Sequence, residues 1–254
     1  MDKQTSWNPD IYAKNARFVS DLGQPLLALL NPQPGEIILD LGSGDGALTE
    51  KIVSTRCRVI GIDASFDQVQ ASKARGLTAA VVDGHNLCFK QRLDAVFTNA
   101  ALHWMKQPKR VIDGVWCCLR PSGRFTGEFG GKGNVATIRS ALHRALQKEG
   151  IDPQTVDPWY YPSPEEYSQL LTKAGFSVEI IELIPRPTKL PGDIIGWLEV
   201  FAQPFTRAVS EGKRAGFLDQ IRTAVAPALR NPDGTWFADY VRLRFLARKH
   251  RDTR

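Results

Sequence analysis

The sequence predicts an α/β fold: a doubly wound, mostly parallel seven-stranded sheet with an antiparallel last strand and a small helical lid. Three observations carry this. From about residue 36 to about 130, short apolar runs alternate with apolar residues at helical spacing, as in repeated βαβ units. The first run, Ile37-Ile38-Leu39 within residues 36–41, is continuous rather than alternating, as in a strand buried on both faces of a parallel sheet, and it feeds directly into three closely spaced glycines. Beyond about residue 176 the pattern changes to two strand-like runs that bracket an aromatic helical stretch.

The elements follow in order. Asn8 and Pro9 read as the N-cap and first residue of a helix that runs to Phe18. Leu26, Leu27, Leu29 and Leu30 mark a second helix, broken by Pro32 and Pro34. After the first strand and its glycines, Leu48, Ile52 and Val53 lie at helical spacing. Residues 58–62 form a second strand, 66–74 a helix, 79–82 a third strand and 93–97 a fourth. Val111, Ile112, Val115, Trp116 and Leu119 share a helix face, 120–123 form a turn, and 124–129 a fifth strand. Residues 128–133, rich in glycine, read as a mobile loop at the sheet edge that touches substrate. Residues 176–184 and 240–247 are strands around a helical insert at 193–229, which carries Trp197, Phe201, Phe205 and Phe217. The expected organisation is one domain over 1–254. Helices in roughly 1–30 lie over the site, a cofactor-binding core spans roughly 35–130, and a lid spans roughly 190–235, at the sheet edge where open α/β sheets bind ligands.

Composition narrows the function. Of 254 residues, 43% are hydrophobic and 24% charged, which suits a folded domain with a substantial core. No apolar run is long enough to span a bilayer, and the first residues lack the apolar stretch of a signal peptide, so a cytoplasmic protein without a membrane partner is expected. The net charge of +6 gathers near the C-terminus in Arg242, Arg244, Arg248, Lys249, Arg251 and Arg254. These residues read as a final strand with a solvated basic tail, so a nucleic-acid partner is not expected, although basic side chains can steer an anionic substrate. Cys57, Cys88, Cys117 and Cys118 form no C-x-x-C pair and have no histidine at ligand spacing, so they read as buried thiols and no metal is expected. His143 and His250 read as helix-surface and tail residues, and His85 as a neighbour of the ligand pocket. A monomer or homodimer is expected.

The chemistry lies in the first glycine turn, Asp40-Leu41-Gly42-Ser43-Gly44-Asp45-Gly46. Gly42, Gly44 and Ala47 also fit a dinucleotide fingerprint, so acidic residues at successive strand ends have to decide. Asp63 ends the second strand, where a carboxylate can accept both ribose hydroxyls. Asp83 ends the third, where it can accept an adenine amine. Asp40 stands before the glycines, placed for an ammonium. A carboxylate at 40 or 45 would repel a pyrophosphate, whereas S-adenosylmethionine carries a sulfonium and an ammonium and no phosphate.

That glycine turn resembles the cofactor motif of class I S-adenosylmethionine-dependent methyltransferases, which have the Rossmann-like methyltransferase fold. Val59-Ile60-Gly61-Ile62-Asp63-Ala64-Ser65 is similar to their second motif and Val82-Asp83-Gly84 to their adenine-contacting segment. Residues 97–104, FTNAALHW, resemble the fourth motif of the trans-aconitate methyltransferase branch, of the methyltransferase type 11 kind. Trp7-Asn8-Pro9 with Tyr12, Trp159-Tyr160-Tyr161-Pro162, Ala174-Gly175-Phe176 and Asp239-Tyr240-Val241 also resemble that branch. The resemblance implies that Gly42, Ser43 and Gly44 line the methionine part of the cofactor, Asp63 and Ala64 the ribose, Asp83 and Gly84 the adenine, and Asn99 and Ala100 the sulfonium side, with Tyr12 closing over it. His103 falls where the methyl group points, and either accepts a substrate proton or lines the pocket. Trp104, Phe129, Trp159 and Trp197 are further pocket candidates.

The implied reaction moves a methyl group from S-adenosylmethionine to a small-molecule carboxylate and leaves S-adenosylhomocysteine. Alternatives are N-, C- or hydroxyl O-methylation, methylation of RNA or protein, a nicotinamide-dependent oxidoreductase, and a non-catalytic domain of the same fold. Asp40 before the glycines and the Asn99-Ala100 pair argue against the oxidoreductase.

Overall fold

The first strand, β1 (Ile37–Leu41), is buried on both faces, as its unbroken apolar run requires. A computed structural model describes residues 23–87 and 90–250 of the chain. In chain order these form α1 (Gln24–Leu30), β1, α2 (Ala47–Val53), β2 (Arg58–Asp63), α3 (Phe66–Ala74), β3 (Ala79–Val81), β4 (Leu93–Asn99), α4 (Pro108–Cys118), β5 (Leu119–Gly130), α5 (Ala136–Lys148), α6 (Pro164–Lys173), β6 (Phe176–Lys189), α7 (Ile194–Phe201), α8 (Gln203–Ala208), α9 (Arg214–Leu229) and β7 (Phe237–Lys249). The helix expected at 8–18, with Tyr12, lies outside the described residues.

Seven strands form one sheet in the order β3-β2-β1-β4-β5-β7-β6. The pairs β2–β3, β1–β2, β1–β4 and β4–β5 are parallel, and β5–β7 is antiparallel. The chain winds outward from β1 to β3 and then returns to β4 on the other side. Its topological switch point therefore lies between β1 and β4, where the loops after both strands diverge.

Contacts divide the described chain into two units. One comprises residues up to 132 together with 160–184 and 242–250, and the other comprises 133–159 and 185–241. In the first unit, alternate residues of the strands feed opposite cores. Leu39, Val96, Phe125, Phe129 and Phe245 pack with Tyr167 and Phe176, while Ile38, Ala95 and Phe97 pack with Leu26, Leu30 and Ile52. Arg124, buried, ties the end of α1 to the sheet. It donates to the Leu30 carbonyl at 2.6 Å and reaches both Glu36 carboxylate oxygens at 2.7 Å. These bonds satisfy an orphan carbonyl of the helix end with a charge-assisted donor.

In the second unit, α7, α8 and α9 fall where a helical insert is expected. Trp159 and Trp197 are both buried there, with ring centroids 6.2 Å apart and Phe205 5.1 Å from Trp159. Buried Asp157 accepts from Arg139 Nε at 2.6 Å and from the Trp159 backbone N–H at 3.0 Å, and it pairs with His143 Nε2 at 2.8 Å. His143 is thus not a simple surface residue: an acidic partner 14 residues away holds it.

Other expectations are corrected. The turn at 120–123 lies inside β5, where Leu119 pairs with Leu93 and Arg124 with Ala95, so Asp94 alone faces the four bulged residues. Residues 128–130 are not loop but the end of β5, and Glu128 is buried. The basic stretch is not a solvated tail as far as Lys249. Arg242 and Lys249 are buried, Arg244 pairs with Glu128 and Arg248 with Glu179, and Lys249 Nζ donates to the carbonyls of Trp116 and Leu119. For Arg244 and Lys249 the solvation cost is met by partners on β5 and α4 that the local sequence does not reveal. Cys117 is exposed, unlike Cys57 and Cys118, and Cys88 lies outside the described residues. No helix of the described residues is long and apolar enough to cross a membrane.

Candidate active site

The site grows out of the ends of β1, β2, β3 and β4. Leaving β1, the backbone N–H groups of Gly42 and Ser43 both donate to the Ile62 carbonyl of β2, at 2.8 and 2.9 Å, so the turn is tied to the neighbouring strand. Gly42 adopts φ 74°, and a Cβ there would lie 2.3 Å from that of Ala101 in the loop after β4. No larger residue fits this crossing at the switch point. Gly44 also has positive φ, at 55°, but among the described residues no atom lies within 4 Å of a Cβ built there, which leaves space beside its backbone.

Asp63 closes the turn from the end of β2. Its Oδ2 accepts from the Gly44 N–H at 3.0 Å and its Oδ1 from the Ser65 N–H at 2.8 Å. Burial pushes its pKa up from the ordinary range, and those N–H groups oppose the rise. Ala64 beside it is exposed.

Asp40 is deeply buried on β1, and its Oδ2 accepts from the Thr49 hydroxyl at 2.6 Å. Burial pushes its pKa up to about 7, with a smaller push from Asp63 and an opposing pull from Thr49. A cationic ligand group would supply the countercharge that no described residue gives this carboxylate.

Asp83 is half-exposed after β3. It accepts from the His85 N–H at 2.9 Å and contacts His85 Nδ1 at 2.6 Å. Burial raises its pKa, but the His85 bonds and the Arg110 charge outweigh this and leave it below the usual carboxylate range. Gly84 lies against Leu41 and Met105.

Asn99 ends β4 in register with Glu128 of β5, and the Ala100 N–H donates to the Glu128 carbonyl at 2.7 Å. Ala100 holds φ 56°, a left-handed conformation that turns the chain sharply at the site. His103 follows in a single 3-10 turn, and its side chain is buried. Its Nδ1 accepts from the Gly130 N–H at 3.4 Å, while Trp104 and Tyr161 place their rings 5.3 and 5.8 Å away. Burial, followed by the positive charge of Arg242, lowers the His103 pKa well below its ordinary value.

The structure therefore gathers Asp40, Gly42, Ser43, Gly44, Asp63, Asn99, Ala100, His103 and Trp104 in one unit, with Asp83 and Gly84 after its third strand. Phe129 is in that unit too, but its ring is enclosed, 5.0 Å from Tyr167 and 6.3 Å from Phe245. Trp159 and Trp197 belong to the other unit, and Tyr12 lies outside the described residues. Sequence reasoning missed Glu128, Arg242 and Arg244. Arg244 places Nε and Nη2 on one Glu128 oxygen at 2.8 and 2.7 Å, which fixes the β5 edge beside Asn99. The available signal was the alternation Arg242-Leu243-Arg244-Phe245, which puts both arginines on one face of a strand.

The donor set fits S-adenosylmethionine. The Ser43 hydroxyl is buried with no hydrogen-bond partner among the described residues, no described atom lies within 4 Å of a Cβ built at Gly44, and of the two nearby carboxylates Asp40 is buried and Asp63 partly buried, neither with a cationic partner among the described residues. Residues 39–126 match the family described as a methyltransferase domain. An uncharacterized methyltransferase of Schizosaccharomyces pombe is 40% identical over 96% of this chain and 98% of its own. A trans-aconitate 2-methyltransferase of Rhodococcus jostii is 26% identical over 95% of this chain and 98% of its own. Among solved structures, phosphoethanolamine N-methyltransferase 2 of Haemonchus contortus, in complex with phosphomonomethylethanolamine and S-adenosylhomocysteine, superposes with a TM-score of 0.61 at 17% identity, over 96% of this chain and 57% of that one. The chain belongs to the class I S-adenosylmethionine-dependent methyltransferase family, and it is an enzyme.

Proposed function

We propose that this enzyme methylates a carboxylate oxygen of a small polycarboxylic acid of the trans-aconitate kind. The state of His103 supports the reading most directly. Its Nδ1 accepts the Gly130 N–H, which leaves the ring proton on Nε2, and burial beside Arg242 makes the imidazole a poor base. A carboxylate is already ionised at neutral pH and needs no base, whereas an ammonium or hydroxyl acceptor would need one. In this reading His103 offers an N–H to the acceptor rather than removing a proton. The similarity to trans-aconitate 2-methyltransferases supports the same substrate class.

When bound, S-adenosylmethionine supplies an electrophilic methyl group on a sulfonium. Around it, the chain's own groups bind and orient. Asp40 faces the ammonium, the Gly42, Ser43 and Gly44 backbone the methionine part, Asp63 with Ala64 the ribose, and Asp83 with Gly84 the adenine. Asn99 and Ala100 lie at the sulfonium side, and Trp104 shapes the acceptor wall, while Phe129, its ring enclosed, packs in the core. Holding the acceptor oxygen about 3 Å from the methyl, in line with the bond to sulfur, provides most of the acceleration. The lid role of residues 190–235, the pocket roles of Trp159 and Trp197, and closure by Tyr12 belong to the same proposal and rest on the sequence.

The test supplies tritiated-methyl S-adenosylmethionine with trans-aconitate, and separately with a metabolite extract, and asks whether the product label becomes volatile in base. Base-volatile label, from a methyl ester, is the expected result. Base-stable label would overturn carboxyl methylation and return His103 to the position of a base.

A further inference from the structure

Asp83, after β3, engages its two carboxylate oxygens unequally. Oδ1 takes both donors of one residue, the His85 backbone N–H at 2.9 Å and the His85 ring at Nδ1, 2.6 Å away. Oδ2 has one long contact, from the Asn86 amide at 3.4 Å, and Asn86 is in turn held by Arg110 of α4. The Asp83 side chain is 52% exposed and that of His85 19%. An ionised carboxylate only accepts, so the ring nitrogen that faces it carries the proton and Nε2 carries none. Nε2 is buried with no hydrogen-bond partner among the described residues, so a proton there would be a buried donor without an acceptor. The imidazole thus serves Asp83, and Oδ2 is the oxygen left for a ligand. The Val82 N–H donates to the Asp63 carbonyl at 3.0 Å, which sets Asp83 beside the strand end that the proposed function gives to the ribose.

Resting on the reading above in which Asp83 meets the adenine, we propose that His85 is the positioning residue for adenine recognition: its backbone N–H and its Nδ1–H pin Asp83 by Oδ1, so that Oδ2 accepts the amine of the base. The imidazole acts through Asp83 and needs no contact with the cofactor. Two donors from one residue fix the rotamer and the tilt of a carboxylate that, on a half-exposed turn, would otherwise have to be ordered when the ligand binds. A preset acceptor distinguishes an amine from a carbonyl, because a carbonyl in the same place brings two acceptors together with no hydrogen between them. His85 should therefore govern which base is accepted more than how tightly any nucleoside binds.

The experiment titrates full-length wild type, D83N, H85F and H85N by calorimetry with S-adenosylhomocysteine and with S-inosylhomocysteine, its hypoxanthine analogue, which has a carbonyl where adenine has the amine. Melting temperature is measured for each. Wild type should prefer the adenine ligand by roughly 10–150-fold, the scale of one hydrogen bond to a charged group. D83N should erase the preference, because an amide can accept from an amine or donate to a carbonyl. H85F should lower the preference about tenfold, through weaker binding of S-adenosylhomocysteine, while S-inosylhomocysteine binding weakens by no more than about threefold. H85N, whose amide nitrogen stands near the Nδ1 position, should recover the preference to within about threefold of wild type. The ring nitrogen resonances of wild-type His85 should show a protonated Nδ1 and a bare Nε2 at about pH 8.5, where an ordinary imidazole is neutral. A wild-type preference in H85F, equal loss of both ligands, or an H85N preference no better than that of H85F overturns the proposal, and so does a proton on Nε2. If H85F does not fold, H85Q, whose amide reaches past the Nδ1 position, decides by the same ratio, and an unchanged ratio overturns it. A preference kept in D83N as well refutes the adenine assignment of Asp83 itself, whereas a preference lost in D83N and kept in H85F refutes His85 alone.

Discussion

Replacing Asp63 with alanine removes two kinds of interaction at once, and the structure separates them. Oδ1 and Oδ2 each hold one backbone N–H, of Ser65 and Gly44, so the side chain braces the glycine turn even without ligand. The site is near solvent, and water can replace those acceptors, so the bracing loss is about 1 kcal/mol of stability, or a melting temperature lower by roughly 2–4 °C. The ribose hydroxyls lose a charged acceptor as well, which adds about 1–3 kcal/mol to the free energy of cofactor binding and weakens it by roughly 5–150-fold. Calorimetric titration with S-adenosylhomocysteine measures this, and thermal unfolding measures the bracing. Asp63→Asn keeps one carbonyl acceptor and should fall between alanine and wild type. A folded Asp63→Ala protein with wild-type affinity would sink the ribose assignment.

Asp40 predicts a pH dependence with two opposite signs. Burial holds its folded pKa at about 7 against an ordinary value of 3.8, so between these the folded, empty protein carries a proton that the unfolded chain has shed. Its contribution to stability is therefore present at low pH and lost as pH rises through about 7. Relative to wild type, Asp40→Asn should stand lowest in melting temperature near about pH 3.5, gain on it steadily as pH rises to about 7 and hold that gain at about pH 8, and a pH-independent difference would contradict the raised pKa. Wild-type affinity for S-adenosylhomocysteine should weaken about tenfold per pH unit below 7, because the ammonium needs the ionised carboxylate. His103→Gln, assayed by ester formation, should retain activity within about tenfold. A loss of several orders of magnitude would restore the general-base role. Glu128→Ala strands Arg244, whose side chain is 15% exposed, at about 3–5 kcal/mol. Thermal melts should fall by roughly 6–20 °C and recover in part when Arg244 is also replaced by methionine; full stability in the single variant would discount the pair.

The β1–β4 half of the fold was legible because its signals are local. The apolar run at 37–39, the glycines after it, and Asp63 and Asp83 closing successive strands all lie within short windows, and each one is a direct consequence of strand burial and turn geometry. The β5–β7 half was not. Glu128 and Arg244 are 116 residues apart in sequence, and a basic strand looks like a solvated tail until its partner is found. Glycines at 130, 131 and 133 suggested a loop, whereas Gly130 ends β5 and Gly131 is small because Leu183 of β6 and Leu243 of β7 press against it. Side chains on a facing strand set those choices, and a single chain read in order does not display them.

The position of β7 also sets an order of assembly. In sequence it follows β6, yet in the sheet it lies between β5 and β6. Until residues 237–249 slot in, β6 has no neighbour to hydrogen-bond, and β5 presents an open flank that ends beside His103. The inserted strand must form ladders across long sequence separations, which makes it a slow, entropically costly step. Nascent or partly unfolded chains are thus expected to hold the β1–β4 half before the β5 edge beside His103 is closed. The Glu128–Arg244 pair would be among the last contacts the folding chain gains and the first that local unfolding of β7 takes away.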